Sequence, residues 1–295
     1  MNFRTDLALE RKEYIKEKEP DGILSKEETI KNIKVTTIEI TNENGERLIG
    51  KPRGTYITVE AESFIKNPVL SDTALEVTAQ KIKELLPKGE SFLIAGLGNN
   101  DITPDALGPK SASLILATRH IKGELARSIG FEGMKSVSSV VPGVLGKTGI
   151  ETKEIIEGVV KNTSPDALIV IDALAARSLS RLGTTVQMCN TGISPGSGVG
   201  NSRSELNEKA LGIPVIAIGV PTVTDGITMA FDLLQKAGID ESALKETELK
   251  SEKTVMVTPK EIDLVIERAS LLVSMGINLA LFENMDKNEI FELVK

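Results

Sequence analysis

Phe92-Leu-Ile-Ala-Gly-Leu-Gly-Asn-Asn-Asp-Ile-Thr-Pro-Asp-Ala-Leu-Gly-Pro109 reads as a buried strand, a glycine-rich turn and the start of a helix. The apolar run 92–95 is the strand, and 96–109 is the turn. Apolar spacing beyond it predicts a helix over 109–128. Pro109 suits the first helical position, where its missing N–H would be unpaired anyway. Two carboxylates, Asp101 and Asp105, lie in the turn. Open α/β sheets gather their chemistry at the carboxyl ends of strands, so this turn is the first place to look for it.

Working outward, the alternation continues. Residues 71–86 place Leu75, Ala79, Ile82 and Leu86 on one helical face, stopped by Pro87-Lys-Gly89. Residues 136–141 read as a strand, 143–149 as a loop and 152–161 as a helix. A second fully apolar strand, 167–171, ends at Asp172. Residues 184–188 read as a strand, and 191–201, with four glycines and a proline, as a loop. A strand at 214–220 and a helix at 225–236 follow, then an exposed charged connection at 239–253. Thr258-Pro-Lys-Glu261 marks a helix start with Thr258 as cap. That helix runs to about residue 274, and the remainder to 295 reads as helical.

Alternation over about 70–240 implies an α/β fold, a mainly parallel sheet with helices on both faces. Ahead of it lies a β-rich part, about 33–61. Its candidate strands are 34–40, 47–50 and 55–61, with a hairpin-type turn at Asn42-Glu-Asn-Gly45. This part either extends one edge of the sheet or forms a subdomain. Residues 1–32 read as a mobile arm or an exposed helix.

Bulk properties narrow the chemistry. The 295 residues are 40% apolar and 26% charged, the balance of a soluble globular domain. The net charge of −7 opposes binding to a phosphate backbone, and 3% aromatic residues without Trp offer no base-stacking surface. No membrane span or signal core is read, so the expected location is cytoplasmic. One cysteine, Cys189, makes no internal disulfide. One histidine, His120, excludes a zinc site built on several His and Cys, and it lies within the predicted helix, remote from any nucleophile. Catalysis then falls to carboxylates, amides, hydroxyls and lysines, or to an oxygen-ligated metal.

Asp105 and Asp172 each follow a long buried strand or its turn. Parallel strands lie about 4.8 Å apart, so on neighbouring strands the two acids would enter one crevice. A close pair shares a proton near neutrality, so one member can activate water while the other protonates a leaving group. The plainer alternative is that each only caps a helix or closes a turn. Asp101 reads as a turn-former bonded to its own backbone, and Arg177 as a carboxylate binder or a surface charge. Gly96-Leu-Gly-Asn-Asn-Asp101 imitates a dinucleotide fingerprint but has Asp101 in place of the third glycine. Gly146-Lys147-Thr148 imitates a phosphate loop but has Val141 where a glycine is needed. A nucleotide hydrolase using Lys147 and Asp172 is the alternative these suggest. Asn190-Thr-Gly192 departs from the Asp-Thr-Gly of pepsin-type proteases, and Cys189 reads as a small buried apolar residue.

Several blocks in collinear order resemble one family. They are Thr103-Pro-Asp-Ala-Leu-Gly-Pro109, Val140-Val-Pro-Gly-Val-Leu-Gly146, Ile171-Asp-Ala-Leu-Ala-Ala-Arg177, Pro195-Gly-Ser-Gly-Val-Gly-Asn201, Ile213-Pro-Val-Ile-Ala-Ile-Gly-Val-Pro-Thr222 and Thr258-Pro-Lys-Glu-Ile-Asp263. They are similar to the germination protease of spore-forming bacteria. The resemblance implies an atypical aspartic endopeptidase that degrades small acid-soluble spore proteins in the spore core during germination. It implies a fold like that of the hydrogenase-maturation proteases and assembly as a homotetramer. Its two essential aspartates fall on Asp105 and Asp172. No cofactor is implied, and metal assistance through the same carboxylates is a stated alternative. The family is made as a zymogen. Phe3-Arg-Thr-Asp-Leu-Ala8 resembles its processing segment, which implies cleavage between Asp6 and Leu7, a propeptide of 1–6 and a single peptidase domain of 7–295. The six-residue arm, Cys189 and Asn190 depart from the family pattern.

Overall fold

The computed structural model describes residues 4–15, 17, 20–60, 71–196, 204–238 and 255–294. Among them, nine strands form: β1 (Ile23–Ile30), β2 (Ile33–Ile40), β3 (Gly54–Glu60), β4 (Ser91–Gly96), β5 (Ser136–Val140), β6 (Ala167–Ala175), β7 (Thr185–Cys189), β8 (Val215–Asp225) and the short β9 (Met256–Val257). Their order is β1-β2-β3-β7-β8-β6-β4-β5, with β9 pairing to β8. The strands β5, β4, β6 and β8 are parallel. From β8 outward through β7, β3, β2 and β1 every pairing is antiparallel. The β-rich start therefore extends one edge of the sheet.

The helices are α1 (Ala8–Lys12), α2 (Glu43–Ile49), α3 (Asp72–Leu85), α4 (Leu107–Ser113), α5 (Gly123–Ser128), α6 (Leu145–Thr148), α7 (Thr152–Thr163), α8 (Glu208–Leu211), α9 (Gly226–Lys236), α10 (Ile262–Leu281) and α11 (Lys287–Val294). Side chains alternate across each strand, which sorts the core into two layers. Phe92, Ile94, Ile169, Ile171, Ile216 and Ile218 pack with α3, α4 and α10. Leu93, Ala95, Leu168, Val170 and Val215 meet Ile156 and Val160 of α7 on the other face. That second face also carries α1 and α2, through Ile38, Ile40, Tyr56 and Cys189. Both faces of the central parallel strands are thus covered, and β4, β6 and β8 carry the apolar runs 92–95, 167–171 and 215–218.

α10 is long and apolar enough to cross a membrane, yet 72% of its apolar window is buried within this fold. Val265, Ile266, Leu272, Val273 and Ile277 are fully buried there. Each such side chain contributes roughly 1.5–3 kcal/mol over an exposed position. α10 is a core helix that roofs one face of the sheet.

Several sequence expectations give way to tertiary contacts. The helix expected over 109–128 is two short helices. Between them Thr118 and Arg119 both donate backbone N–H to Val137 of β5. The carboxamide of Asn278, buried in α10, accepts from Leu116 N at 3.1 Å and donates to Leu114 O at 2.9 Å. These bonds replace the helical ones. The expected hairpin turn at 42–45 and strand at 47–50 are α2. Asn42 caps it by accepting from Gly45 N, and Gly50 ends it at φ +68°. The arm over 1–32 contains α1 and β1, and Leu7, Ala8, Leu9 and Glu10 are buried. Residues 145–148 of the expected loop form α6. The helix expected to begin at Thr258 begins at Ile262 and continues to Leu281, while Thr258 Oγ1 donates to Thr222 O. The connection read at 239–253 lies outside the described residues.

Replacing Asn278 by Leu leaves the buried Leu116 N–H and the half-buried Leu114 C=O without this partner. Each costs about 1–3 kcal/mol. Asn278→Leu is expected to lower the urea midpoint accordingly, and an unchanged midpoint would show that these bonds do not hold the α4–α5 break.

Candidate active site

Close backbone approach places Asp105. A Cβ on Gly96 would lie 2.2 Å from Gly108 O, and one on Gly108 would lie 2.1 Å from Leu97 O and 2.6 Å from Ile171 O. Only glycine lets the start of α4 rest on the ends of β4 and β6. Leu97 N donates to Ile171 O at 2.8 Å, carrying the β4–β6 pairing one step beyond Gly96↔Ile171. The chain then turns through Gly98, at φ +114°, into the 3-10 turn Thr103–Asp105. Asp105 Oδ2 accepts from Asn99 N at 2.8 Å. Thr222 Oγ1 of β8 donates to Pro104 O at 2.8 Å, so the turn is tied to β8 as well.

Asp172 is the β6 residue directly after Ile171 and is 6% exposed. Its Oδ1 accepts from Ala173 N at 2.9 Å. The apolar run predicts a strand that ends here, but β6 runs on to Ala175. Alternation puts Asp172 on the α7 face, between Val170 and Leu174. Asp105 and Asp172 therefore belong to the carboxyl-end region of two adjacent parallel strands.

The N-terminal segment docks on β6. Asp6 N donates to Ala175 O at 2.9 Å, and Asp6 Oδ2 accepts from Ala175 N at 2.8 Å, three residues beyond Asp172. Gln187 Nε2 donates to Asp6 O at 2.9 Å, and Ala8 N donates to Gln187 Oε1 at 2.7 Å. Leu7 is fully buried with Leu174, Ala176 and Leu182. Thr5 Oγ1 bonds the buried Glu10 carboxylate and accepts from Leu7 N at 3.0 Å. Glu10 also accepts from Arg177 N at 2.7 Å and Ser178 N at 2.9 Å. Arg4, Thr5 and Asp6 line a cavity of about 600 Å³ together with Leu174, Gln187 and Gly219. Lys51 opens into the same cavity. Burial holds its ammonium below the ordinary lysine range, opposed by Asp6 and Cys189.

The remaining sequence candidates have other partners. Asp101 does not bond its own backbone as expected of a turn-former. Asn99 Oδ1 accepts from Asp101 N at 3.1 Å, and the Asp101 carboxylate pairs with Lys147. Arg177 Nε and Nη2 both reach Asp232 Oδ1, at 3.1 and 3.0 Å, and its guanidinium lies 4.3 Å from the Tyr14 ring centre. His120 is exposed beyond α4 rather than within a helix. Cys189 is buried, as expected, and borders the cavity. Asn190 Oδ1 accepts from Thr55 N at 2.9 Å and closes the β3–β7 end. Among the described residues no three His, Cys, Asp or Glu side chains group as a metal site would require. Sequence reading missed Gln187, Glu10 and Lys51. The available signal was Gln187 itself, a large polar side chain inside the short apolar strand β7.

A mixed α/β sheet with Asp172 on β6, Asp105 in the turn after the neighbouring β4 and an N-terminal segment docked on β6 makes this an α/β protein with a candidate site at the carboxyl-end region of its parallel strands. The chain belongs to the germination protease family, which it matches over residues 4–237. It is 45% identical to the germination protease of Caldanaerobacter subterraneus subsp. tengcongensis, covering 100% of this chain and 98% of that relative. The germination protease of Clostridium perfringens is 42% identical over 98% of each chain. That of Bacillus velezensis is 39% identical, over 97% of this chain and 95% of the relative. Among solved structures, the [NiFe] hydrogenase maturation protease HycI from Thermococcus kodakarensis KOD1 aligns with 67% of this chain and 98% of its own, at 14% identity and a TM-score of 0.36. Family membership makes the chain a peptidase of spore germination.

Burial, the largest influence on Glu10, raises its pKa above the ordinary 4.5, against the opposing bonds from Thr5, Arg177 and Ser178 and the charge of Arg181. The folded state therefore holds this proton more tightly than the unfolded chain. The resulting stability is present below pH 4.5 and is lost as pH rises through the raised value. Glu10→Gln is expected to remove that part of the decline. Urea midpoints of both chains from pH 4.5 to neutrality check it, and parallel curves would refute it.

Proposed function

We propose that this chain is a self-processing endopeptidase of atypical aspartic type that begins the degradation of small acid-soluble spore proteins in the germinating spore core. Asp105 and Asp172 share a proton. The ionised carboxylate takes a proton from water as its oxygen adds to the peptide carbonyl carbon. The protonated partner gives its proton to the amide nitrogen as the C–N bond breaks. Neither His nor Cys is needed, which suits a chain with one of each.

The observation that carries this reading is the docking of Asp6 on Ala175, on the same strand as Asp172. The bond proposed for processing, Asp6–Leu7, thus starts beside the strand end proposed for catalysis. Asp6 meets both backbone groups of Ala175, its own N–H bonding the carbonyl and its side-chain carboxylate the N–H. Cleavage there releases residues 1–6 and clears Arg4, Thr5 and Asp6 from the cavity wall. The mature unit is the domain 7–295, assembled as a homotetramer. Leu24, 60% exposed on the edge strand β1, is one apolar residue available to such an interface. Nucleotide hydrolysis through Lys147 is not favoured, because that ammonium pairs with Asp101.

Incubation of the purified chain followed by N-terminal mass analysis tests the reading. Loss of residues 1–6 is expected, and an intact N-terminus under every condition of pH would refute it. Asp105→Asn and Asp172→Asn are each expected to abolish processing with circular dichroism unchanged. Activity within tenfold of wild type would remove that residue from the mechanism. A chelator is expected to leave the rate unchanged, whereas its loss would favour the metal-assisted alternative.

A further inference from the structure

The aspartate mechanism gives no role to Gln187 of β7, which is buried against the docked segment. Gln187 bonds the backbone on both sides of Leu7, donating from Nε2 to Asp6 O and accepting at Oε1 from Ala8 N. One partner is an acceptor and the other a donor, which fixes the orientation of the carboxamide. The side chain is 6% exposed.

Sheet register relates Gln187 to Asp172. Gln187 pairs with Gly219 of β8, and Gly219 pairs with Asp172 of β6. Paired residues share a face, so the carboxamide and the carboxylate rise on the same side of the sheet. Their backbones are two strand spacings apart, roughly 10 Å. Gly219, between them, has no side chain, and a Cβ there would lie 2.6 Å from Leu174 Cγ. The Leu174 side chain fills the space above Gly219, and Leu174, Gly219, Gln187 and Asp6 all line one cavity.

We propose that Gln187 is a further catalytic residue, which clamps the peptide across the bond to be cut and donates its Nε2–H to the carbonyl oxygen of that bond. The inference rests on the reading of Asp6–Leu7 as the processing bond. Water adds to the Asp6 carbonyl carbon, and the C=O electron pair moves onto the oxygen that faces Gln187. Collapse of the adduct restores the carbonyl and breaks the C–N bond, with a proton delivered to Leu7 N by the aspartate pair. Gln187 gives up no proton in these steps. Its bond to Ala8 N–H holds the departing side in place. Both contacts are to backbone atoms, so the same clamp serves any extended substrate regardless of its side chains.

Self-processing of the full chain is a suitable measure, since the segment is already docked and the rate reports chemistry rather than binding. Loss of one such donor costs about 10²–10³ in rate. Gln187→Met, close in size and without either hydrogen-bonding atom, is expected to slow release of residues 1–6 by about that factor. In Gln187→Glu, the protonated acid supplies a donor and an acceptor again. Its rate relative to wild type is therefore expected to recover at low pH and to fall about tenfold per pH unit once the acid ionises. A merely structural role would not produce that profile. Processing of Gln187→Met within about threefold of wild type, or a pH-independent ratio for Gln187→Glu, overturns the proposal. If Gln187→Met does not fold, the Gln187→Glu profile decides alone. If the wild-type chain never cuts Asp6–Leu7, the processing reading falls and the catalytic role of Gln187 with it. Cutting by wild type and Gln187→Met alike removes only Gln187.

Discussion

The hydrogen bond from Leu97 N to Ile171 O, with the glycines that permit it, sets the level at which everything at the carboxyl end of the sheet is arranged. It carries the β4–β6 pairing past Gly96 and fixes where the chain must turn. Gly96 and Gly108 let α4 sit on those strand ends, because any side chain at either position would collide with backbone. The turn bearing Asp105 is then held from three sides: by Gly98 and Asn99 behind it, by Thr222 of β8 and by α4 ahead of it. Asp172 needs no such device. Its position follows from strand register alone.

A second constraint comes from hydrogen-bond satisfaction at the edge of the parallel strands. Ala175, at the end of β6, has both backbone groups bonded to Asp6. Asp6 O and Ala8 N are in turn bonded by Gln187. Buried backbone groups need partners, and the N-terminal segment supplies them to the strand end. The same bonds fix the segment's register against β6. A one-residue slip would remove Leu7 from its site among Leu174, Ala176 and Leu182 and place Asp6 or Ala8 there. Glu10 secures the segment further by accepting from the backbone of Arg177 and Ser178.

The sequence is legible where local pattern and tertiary environment agree. Strands 92–95, 167–171 and 214–220 are apolar on both faces and could only be interior strands of a covered sheet. Asp105 and Asp172 stood out because a carboxylate beside such a strand is conspicuous. The sequence is ambiguous where one residue type serves two local structures. Asn42 and Gly45 suit a hairpin turn and equally a helix start, and the nearby Gly50 cap decides for the helix. The 109–128 segment has helical spacing throughout. It breaks because Asn278, more than a hundred and fifty residues away, offers its backbone a better-placed partner.

By itself the sequence determined the α/β class, the identity of the strands that form the sheet interior and the two acids at their ends. These follow from the period of apolar residues and from chemistry carried by single side chains, both of which are local. Strand order, the antiparallel extension through β7 and β3, and the docking of Asp6 on β6 were decided only in three dimensions. So was the row that joins Asp172, Gly219 and Gln187. The reason is that register between strands far apart in the chain is set by side chains packing on both faces at once, and no stretch of sequence contains that information alone.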